Sequence, residues 1–373
     1  MSNSILFSIN AIEMKKVVSQ LDPIVKNSFE DLPKVLFQVE KDKITAFAKN
    51  EDSYIKIVFK GENSSKGEFV VSGTKLSEIV RSTTDEKITF SLAEKNELLI
   101  SAGTFSYNIG LIDAESKHLI APEMSSSKSF SISAKDLCDA ISSVICCLDP
   151  SKAHLYCIMI HSNEEEKNKI YVVATDCMRL GISQKKTTIN DKIPNLMIPK
   201  KNAEYIVKLI SGIQDNVGIC YSENTIQISI GNTIFYTSKL FDSNFPKYQS
   251  VVPSDNDKIL EVKTADLKES LKRTTAVSTD RGNNVVEMTL TSDKVTITCK
   301  DSGDRSTTDI KATFSSKTKI QINCNYKMLL EILDKISSSI VRIQISDSQS
   351  PMLIRPVDDE SVKYVFMPII VNG

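Results

Sequence analysis

The chain has 373 residues, with Lys+Arg 46 against Asp+Glu 47 for a formal net charge of -1. That length has room for two or three domains with real cores, and 41% hydrophobic with 25% charged residues is ordinary for a soluble globular protein. The balanced charge excludes holding nucleic acid by bulk charge alone, so any such contact needs cations segregated onto one surface.

The opening MSNSILFSINAIEMKK lacks a charged region followed by a long apolar run, so no signal peptide is expected. No stretch approaches the ~18 uninterrupted apolar residues of a membrane span, and a cytoplasmic protein with no membrane partner is expected. Phe7 and Ile9 mark a short strand, and Met14, Val17, Val18 and Leu21 follow at the spacing of one helical face. The pattern returns as Phe130 and Ile132 before Leu137, Ala140, Ile141 and Val144. It returns again, weakened by Ser270 and Thr274, as Leu260 and Val262 before Leu267 and Leu271.

Midway through each copy a second strand-and-helix unit appears. Phe69 and Val71 precede Leu76, Ile79 and Val80; Leu196 and Ile198 precede Ala203, Ile206, Val207 and Ile210. Ile320 and Ile322 precede Leu329, Ile332, Leu333 and Ile336. Each of these helices leads into a strand, at 87–91, 217–221 and 341–345, and much of the remainder alternates with the period of two. Polar, turn-rich linkers at 122–128 and 253–258 divide the chain into domains 1–124, 125–253 and 254–373. Helices on one face of antiparallel sheets make the fold α+β, with three similar domains.

The second domain runs into TIFYTSKLFDSNFPKYQSVVP, residues 233–253. Ile234, Phe235 and Tyr236 read as a strand, which Pro246 and Pro253 prevent from continuing. Phe245, Tyr248, Val251 and Val252 are too apolar for a solvated linker, so an extended connector pinned along a groove is expected.

No constellation nominates a reaction. The three histidines, His118, His154 and His161, form no H-E-x-x-H, and neither a G-x-S-x-G elbow nor a phosphate-cradling loop is present. The eight cysteines, Cys138, Cys146, Cys147, Cys157, Cys177, Cys220, Cys299 and Cys324, include no C-x-x-C pair and are expected to be buried free thiols. A binding role without catalysis, cofactor or metal is expected. Cations recur opposite the apolar stripes: Lys15 and Lys16, then Lys75 and Arg81, on the first two helices. Lys200, Lys201 and Lys208 follow on the fourth, Lys268, Lys272 and Arg273 on the fifth, and Lys327 and Lys335 on the sixth. Gathered on one concave surface they would make a phosphate track indifferent to base sequence.

Three segments carry a resemblance to the bacterial β sliding clamp of DNA polymerase III. TSKLFDSNFPKYQSVVP resembles the end of that family's middle domain, VVATDCMRLGIS its "ATDGHRL" strand and turn, and YVFMPIIV its C-terminal "YVVMPMRL". LPKVLF in the first domain and NNVVEMTLTSDKVTITCKDSG in the third extend the resemblance over essentially the whole chain. It implies a head-to-tail homodimer closed into a ring around double-stranded DNA, with helices lining the hole and sheets outside. It also implies a hydrophobic pocket for linear motifs of the replicative polymerase, the clamp loader and repair proteins. Matched to that pocket are Thr175, Cys177, Met178, Arg179 and Leu180, then Pro246, Ser250 and Val251. Val365, Phe366, Met367, Pro368, Ile369, Ile370 and Val371 complete it from the tail. Leu180, Val251, Met367 and Pro368 are expected as an apolar floor, with Arg179 and Thr175 as polar groups at the rim. Cys177-Met178 stands where the family has Gly-His, and Ser250 where it has an Arg, leaving a less basic pocket. These departures also admit a clamp-fold interaction scaffold that no longer loads on DNA.

Overall fold

The computed structural model describes the chain except residues 1–3, 29–32, 42, 94–95, 114, 123, 125–126, 164–165, 167, 190–191, 279–283 and 371–373. Among the described residues there are twenty-four strands and six α-helices: α1 (Ala11–Val25), α2 (Gly73–Ser82), α3 (Ala134–Val144), α4 (Lys200–Ile210), α5 (Thr264–Thr274) and α6 (Tyr326–Leu333). They obey one rule, repeated six times: a strand, a helix, then three more strands. The first strand of each half-copy pairs with the other half's meander. Thus Ser4–Asn10 joins Lys87–Ala93, Glu97–Ala102 and Phe105–Gly110, while Gly67–Ser72 joins Lys34–Glu40, Lys43–Lys49 and Ser53–Phe59.

The four-stranded sets then fuse by antiparallel pairing. Ser53–Phe59 bonds Ile234–Lys239 to make an eight-stranded sheet. Arg179–Lys186 bonds Val362–Phe366, and Lys258–Lys263 bonds the end of Asp304–Phe314, to make a twelve-stranded one. The residues group into two compact units: Met1–Lys135 with Tyr205–Leu240, and Asp136–Glu204 with Phe241–Gly373. The four- and eight-stranded sheets belong to the first unit and the twelve-stranded sheet to the second.

In the first unit an aromatic stack joins the two sheets. Phe7 lies 4.5 Å from Phe90 and 6.2 Å from Phe37, which in turn stacks on Phe69 at 5.0 Å. Helix α1 starts where the Asn10 side chain accepts the Ile12 N–H at 2.9 Å, satisfying a backbone donor that has no intrahelical partner. Its predicted stripe of Met14, Val17, Val18 and Leu21 is buried. Asp22, only 4% exposed, closes the α1–α2 contact by accepting from the Ser77 hydroxyl and the Arg81 guanidinium. A buried carboxylate is tolerated where donors surround it.

In the second unit the interrupted stripe of α5 is explained by pairing. Thr274 is fully buried, and its hydroxyl meets that of Thr308 at 2.9 Å. Thr308 lies on the longest strand, Asp304–Phe314, whose Ser, Thr and Asp residues hide its period in the sequence. Lys335, expected on the sixth helix, lies beyond it: Asp334 N–H bonds Leu330 O and Lys335 N–H bonds Ile332 O, so the last turn tightens and closes. None of the described helices is long and apolar enough to cross a membrane.

Asp22→Ala leaves the buried Ser77 hydroxyl without its acceptor, a loss of about 1–3 kcal/mol for such a group. The expected result is a lower urea midpoint for the first unit's transition at unchanged m-value; an unmoved midpoint would refute the role.

Candidate functional site

The antiparallel ladder between Arg179–Lys186 and Val362–Phe366 sets Leu180 opposite Val365 and Arg179 opposite Phe366. Directly opposed residues share a face and neighbours alternate, so Leu180 and Val365 point one way and Arg179 and Phe366 the other. On the first face the core holds Leu180, Ile182, Val173, Met197 and Val365, and Phe245 and Tyr248 of the connector pack into it. Connector, turn and tail enclose a cavity of about 200 Å³ over this face.

Nine residues named from the sequence line it: Thr175, Cys177, Met178, Arg179, Leu180, Pro246, Val251, Val365 and Met367. Lys247 and Tyr248 also line it and were not among the residues carried over from the family motif. Tyr248 sits on a 3-10 turn, Tyr248–Val251, and its hydroxyl meets His161 Nε2 at 2.8 Å. His161 also stacks on Tyr171 at 5.4 Å. Burial pushes the His161 pKa down and the Tyr248 hydroxyl up to about 12, so a neutral pair braces this wall near neutral pH. The aromatic run of the connector was the available signal for Tyr248.

A tight turn makes the opposite wall. Asp176 Oδ1 accepts from Met178 N–H at 2.9 Å and Arg179 N–H at 2.7 Å. The Thr175 hydroxyl accepts from Cys177 N–H at 3.1 Å and donates to Arg179 O at 2.9 Å. These bonds hold Cys177 at φ 72°, in the left-handed region, with its side chain exposed. The tail continues the enclosure: Met367 N–H bonds Met178 O at 2.8 Å, and Ile369 N–H bonds Asn323 O at 2.7 Å.

Several expectations are corrected by this geometry. Thr175 is buried and its hydroxyl holds the turn, so it is not a rim group. The Arg179 side chain is 6% exposed: Nε donates to Asp176 at 2.8 Å, and Nη1 donates to Met328 O at 3.1 Å and to Glu331 at 2.6 Å. Its strand phase sends the guanidinium to the face away from the apolar core, where it ties the turn to α6. Val251 is 51% exposed and belongs to the rim, beside Met178 at 41%. Ser250, Phe366, Pro368, Ile369 and Ile370 do not line the cavity. The Ser250 hydroxyl donates to Lys247 O, strand alternation buries Phe366 on the opposite face, and Ile370 is exposed past the end of the ladder. Val371 lies outside the described residues. The expectation of buried cysteines fails at Cys177 and holds fully for Cys147, Cys157, Cys299 and Cys324.

The helix cations differ in exposure and in the partners they meet. In the first unit Lys15 donates to Thr83 O at 2.6 Å and Arg81 to Asp22, while Lys16, Lys75 and Lys208 are exposed. In the second, Lys200 lies 3.7 Å from Glu204 and 5.2 Å over the Tyr156 ring, Lys268 pairs with Asp334, and Arg273 pairs with Glu269. Lys201, Lys272, Lys327 and Lys335 present exposed side chains.

Three family models match the chain in succession: the DNA polymerase III beta subunit N-terminal domain over residues 5–120, its central domain over 131–247 and its C-terminal domain over 249–370. The beta sliding clamp of Haemophilus influenzae is 24% identical over 368 residues, covering 97% of this chain and 99% of the relative. The DNA polymerase III subunit beta structure from Pseudomonas aeruginosa matches with a TM-score of 0.90 at 23% identity, over 98% of this chain and 100% of that one. A sliding clamp structure from Bartonella birtlesii bound to griselimycin matches with a TM-score of 0.90 at 25% identity, over 98% and 99%.

A left-handed conformation costs a non-glycine residue about 1–2 kcal/mol, part of which is returned as unfolded-chain entropy when glycine replaces it. Cys177→Gly is therefore expected to stabilise the second unit by up to about 1 kcal/mol, read as a raised unfolding midpoint at unchanged m-value. A lowered midpoint would show that the turn does not strain its thiol residue.

Proposed function

The chain belongs to the DNA polymerase III beta-subunit family and is a DNA sliding clamp, and we propose that its cavity seats the apolar anchor of short client peptides. What carries this reading is the junction of a buried floor, Leu180 and Val365, with an apolar rim left exposed at Met178 and Val251. Exposed apolar side chains around a concave site mark a surface meant to be covered. The volume of about 200 Å³ is below the ~300–1,000 Å³ of sites that engulf a drug-sized ligand. It suits one or two anchoring side chains of a linear motif, each contributing about 1.5–3 kcal/mol when buried. Clients would be the replicative polymerase, the clamp loader and repair proteins. With Arg179 committed inside the fold, Lys247 is the cation left to meet a client's acidic residue.

The second proposed role belongs to the helix cations, with exposed Lys16, Lys75, Lys201, Lys208, Lys272, Lys327 and Lys335 as candidate phosphate contacts. Phosphate contacts carry no base information and exchange readily, so they allow sliding. Retention comes from closure of a ring by two copies, each contributing domains 1–124, 125–253 and 254–373. Two open strand edges support that closure. Phe105–Gly110 ends its sheet with Phe105 61% exposed, and residues 304–311 are bonded on one side only among the described residues. Such edges are templates for pairing with another chain. The role is binding, not catalysis, and the cytoplasm is the place proposed for it.

Two measurements test these surfaces. Val251→Asp, at an exposed position that leaves the core intact, is expected to weaken binding of a polymerase-derived apolar peptide at least about tenfold. Unchanged affinity would move the site elsewhere. The loaded protein is expected to stay on nicked circular DNA and to leave once the circle is linearised. Equal retention on both forms would exclude enclosure, and peptide binding without retention on circles would mark an interaction scaffold.

A further inference from the structure

Helix α3 ends at Val144, and the chain tightens into a 3-10 turn, Ile145–Cys147, whose last two residues are both cysteine. Their Sγ atoms are 3.8 Å apart. Cys147 is fully buried, and a Cβ added to Gly181 would come within 3.2 Å of its sulfur, so the thiol lies against bare strand backbone. Gly181 follows Leu180 and faces Tyr364 across the ladder. The Tyr364 hydroxyl donates to Ser143 O at 2.9 Å, and the half-buried Cys146 thiol points to the same carbonyl at 3.6 Å. Cys147 thus packs on one of the two strands whose opposite face floors the cavity, and the Ser143 carbonyl shared by Cys146 and Tyr364 ties the turn to the other. Arg179, which ties the cavity's turn to α6, acts on both thiols.

We propose that Cys146 and Cys147 are a dithiol modification site, oxidised by a low-molecular-weight disulfide to a Cys146–Cys147 bond that slackens the cavity wall. The effect on the cavity rests on the peptide-binding reading above; the modification itself does not. The two sulfurs have distinct roles. A hydrogen bond from Cys147 holds the Cys146 thiol below its ordinary value against the opposing effect of burial, with the Arg179 and Lys335 cations adding to the lowering. Burial pushes the Cys147 thiol well up. Cys146 is therefore the attacking thiolate. It displaces one thiolate from the small disulfide and becomes a mixed disulfide. Cys147 loses its proton and attacks that sulfur, expelling the second small thiol. Two cysteine thiols are oxidised and one disulfide is reduced to two thiols, which balances the exchange.

Ring closure does not fit the turn as it stands. A disulfide needs sulfurs roughly 2.05 Å apart and Cα atoms usually about 4.4–6.8 Å apart, whereas consecutive Cα atoms lie about 3.8 Å apart. The bond is therefore strained and easily reduced, which is the behaviour of a reversible site and not of a structural staple. Closing it draws Cys147 from Gly181 and disturbs the Ser143 carbonyl that Tyr364 holds.

The test treats the full chain with oxidised glutathione, maps the peptide carrying residues 146–147 by mass, and measures affinity for an apolar client peptide before and after. The expected result is loss of two hydrogens from that peptide, restored by dithiothreitol, with affinity falling at least about tenfold and recovering on reduction. Cys146→Ser and, separately, Cys147→Ala are expected to remove the reversible loss of affinity, so one misfolded variant leaves the other to decide. A pair that stays reduced or only carries glutathione overturns the proposal, as does an oxidised pair that binds peptide with unchanged affinity. Formation of the bond in a protein whose reduced form binds no peptide would sink the cavity reading instead and leave the modification site standing.

Discussion

The ladder between Arg179–Ser183 and Val362–Phe366 is the constraint on which the rest depends. It joins a strand from the middle of the chain to one from its end, and in doing so sets two faces with opposite jobs. One face carries Leu180 and Val365 under the cavity. The other carries Gly181 and Tyr364 against the end of α3, and Arg179 toward α6. The connector can lie across the first face only because Phe245 and Tyr248 find the apolar surface that the ladder has assembled. The tail can close the site only because Met367 continues the bonding pattern one residue past the last strand.

A consequence for chemistry follows from where the polar groups are used. Asp176 and Thr175 satisfy the backbone of their own turn, and Arg179 is divided between Asp176, Glu331 and the Met328 carbonyl. A buried ion pair of this kind holds geometry more than it adds stability, since desolvation offsets much of the attraction. Little of the turn's charge reaches the cavity, so what its wall offers there is shape and apolar area.

Much of this was legible in the sequence wherever the determinant was local. Helical stripes such as Met14, Val17, Val18 and Leu21 depend on residues within two turns, and they are buried as their spacing predicts. The exchange of first strands between half-copies was not legible, because pairing partners such as Ser4–Asn10 and Lys87–Ala93 are distant in the chain and either register satisfies a period of two. Asp304–Phe314 was not legible because seven of its first eight residues are polar or charged and only Ile310 and Phe314 near its end are buried, too few to show a period. At the cavity, motif residues located the three walls, but which members face inward is a matter of strand phase. That phase separates Val365 from Phe366 and turns the Arg179 guanidinium toward α6, and no single residue type announces it.

The same parity sets how such a site can change over time. Side chains of a strand switch sides with every residue, so inserting or deleting one position within Arg179–Lys186 would transpose the faces: Leu180 would be swung toward α3 and a sulfur-lined crevice filled with bulk where only a hydrogen now fits. Substitution at fixed length is the path left open. An added residue shifts no phase only in the turns and connectors, so that is where a change of length leaves the two faces in place.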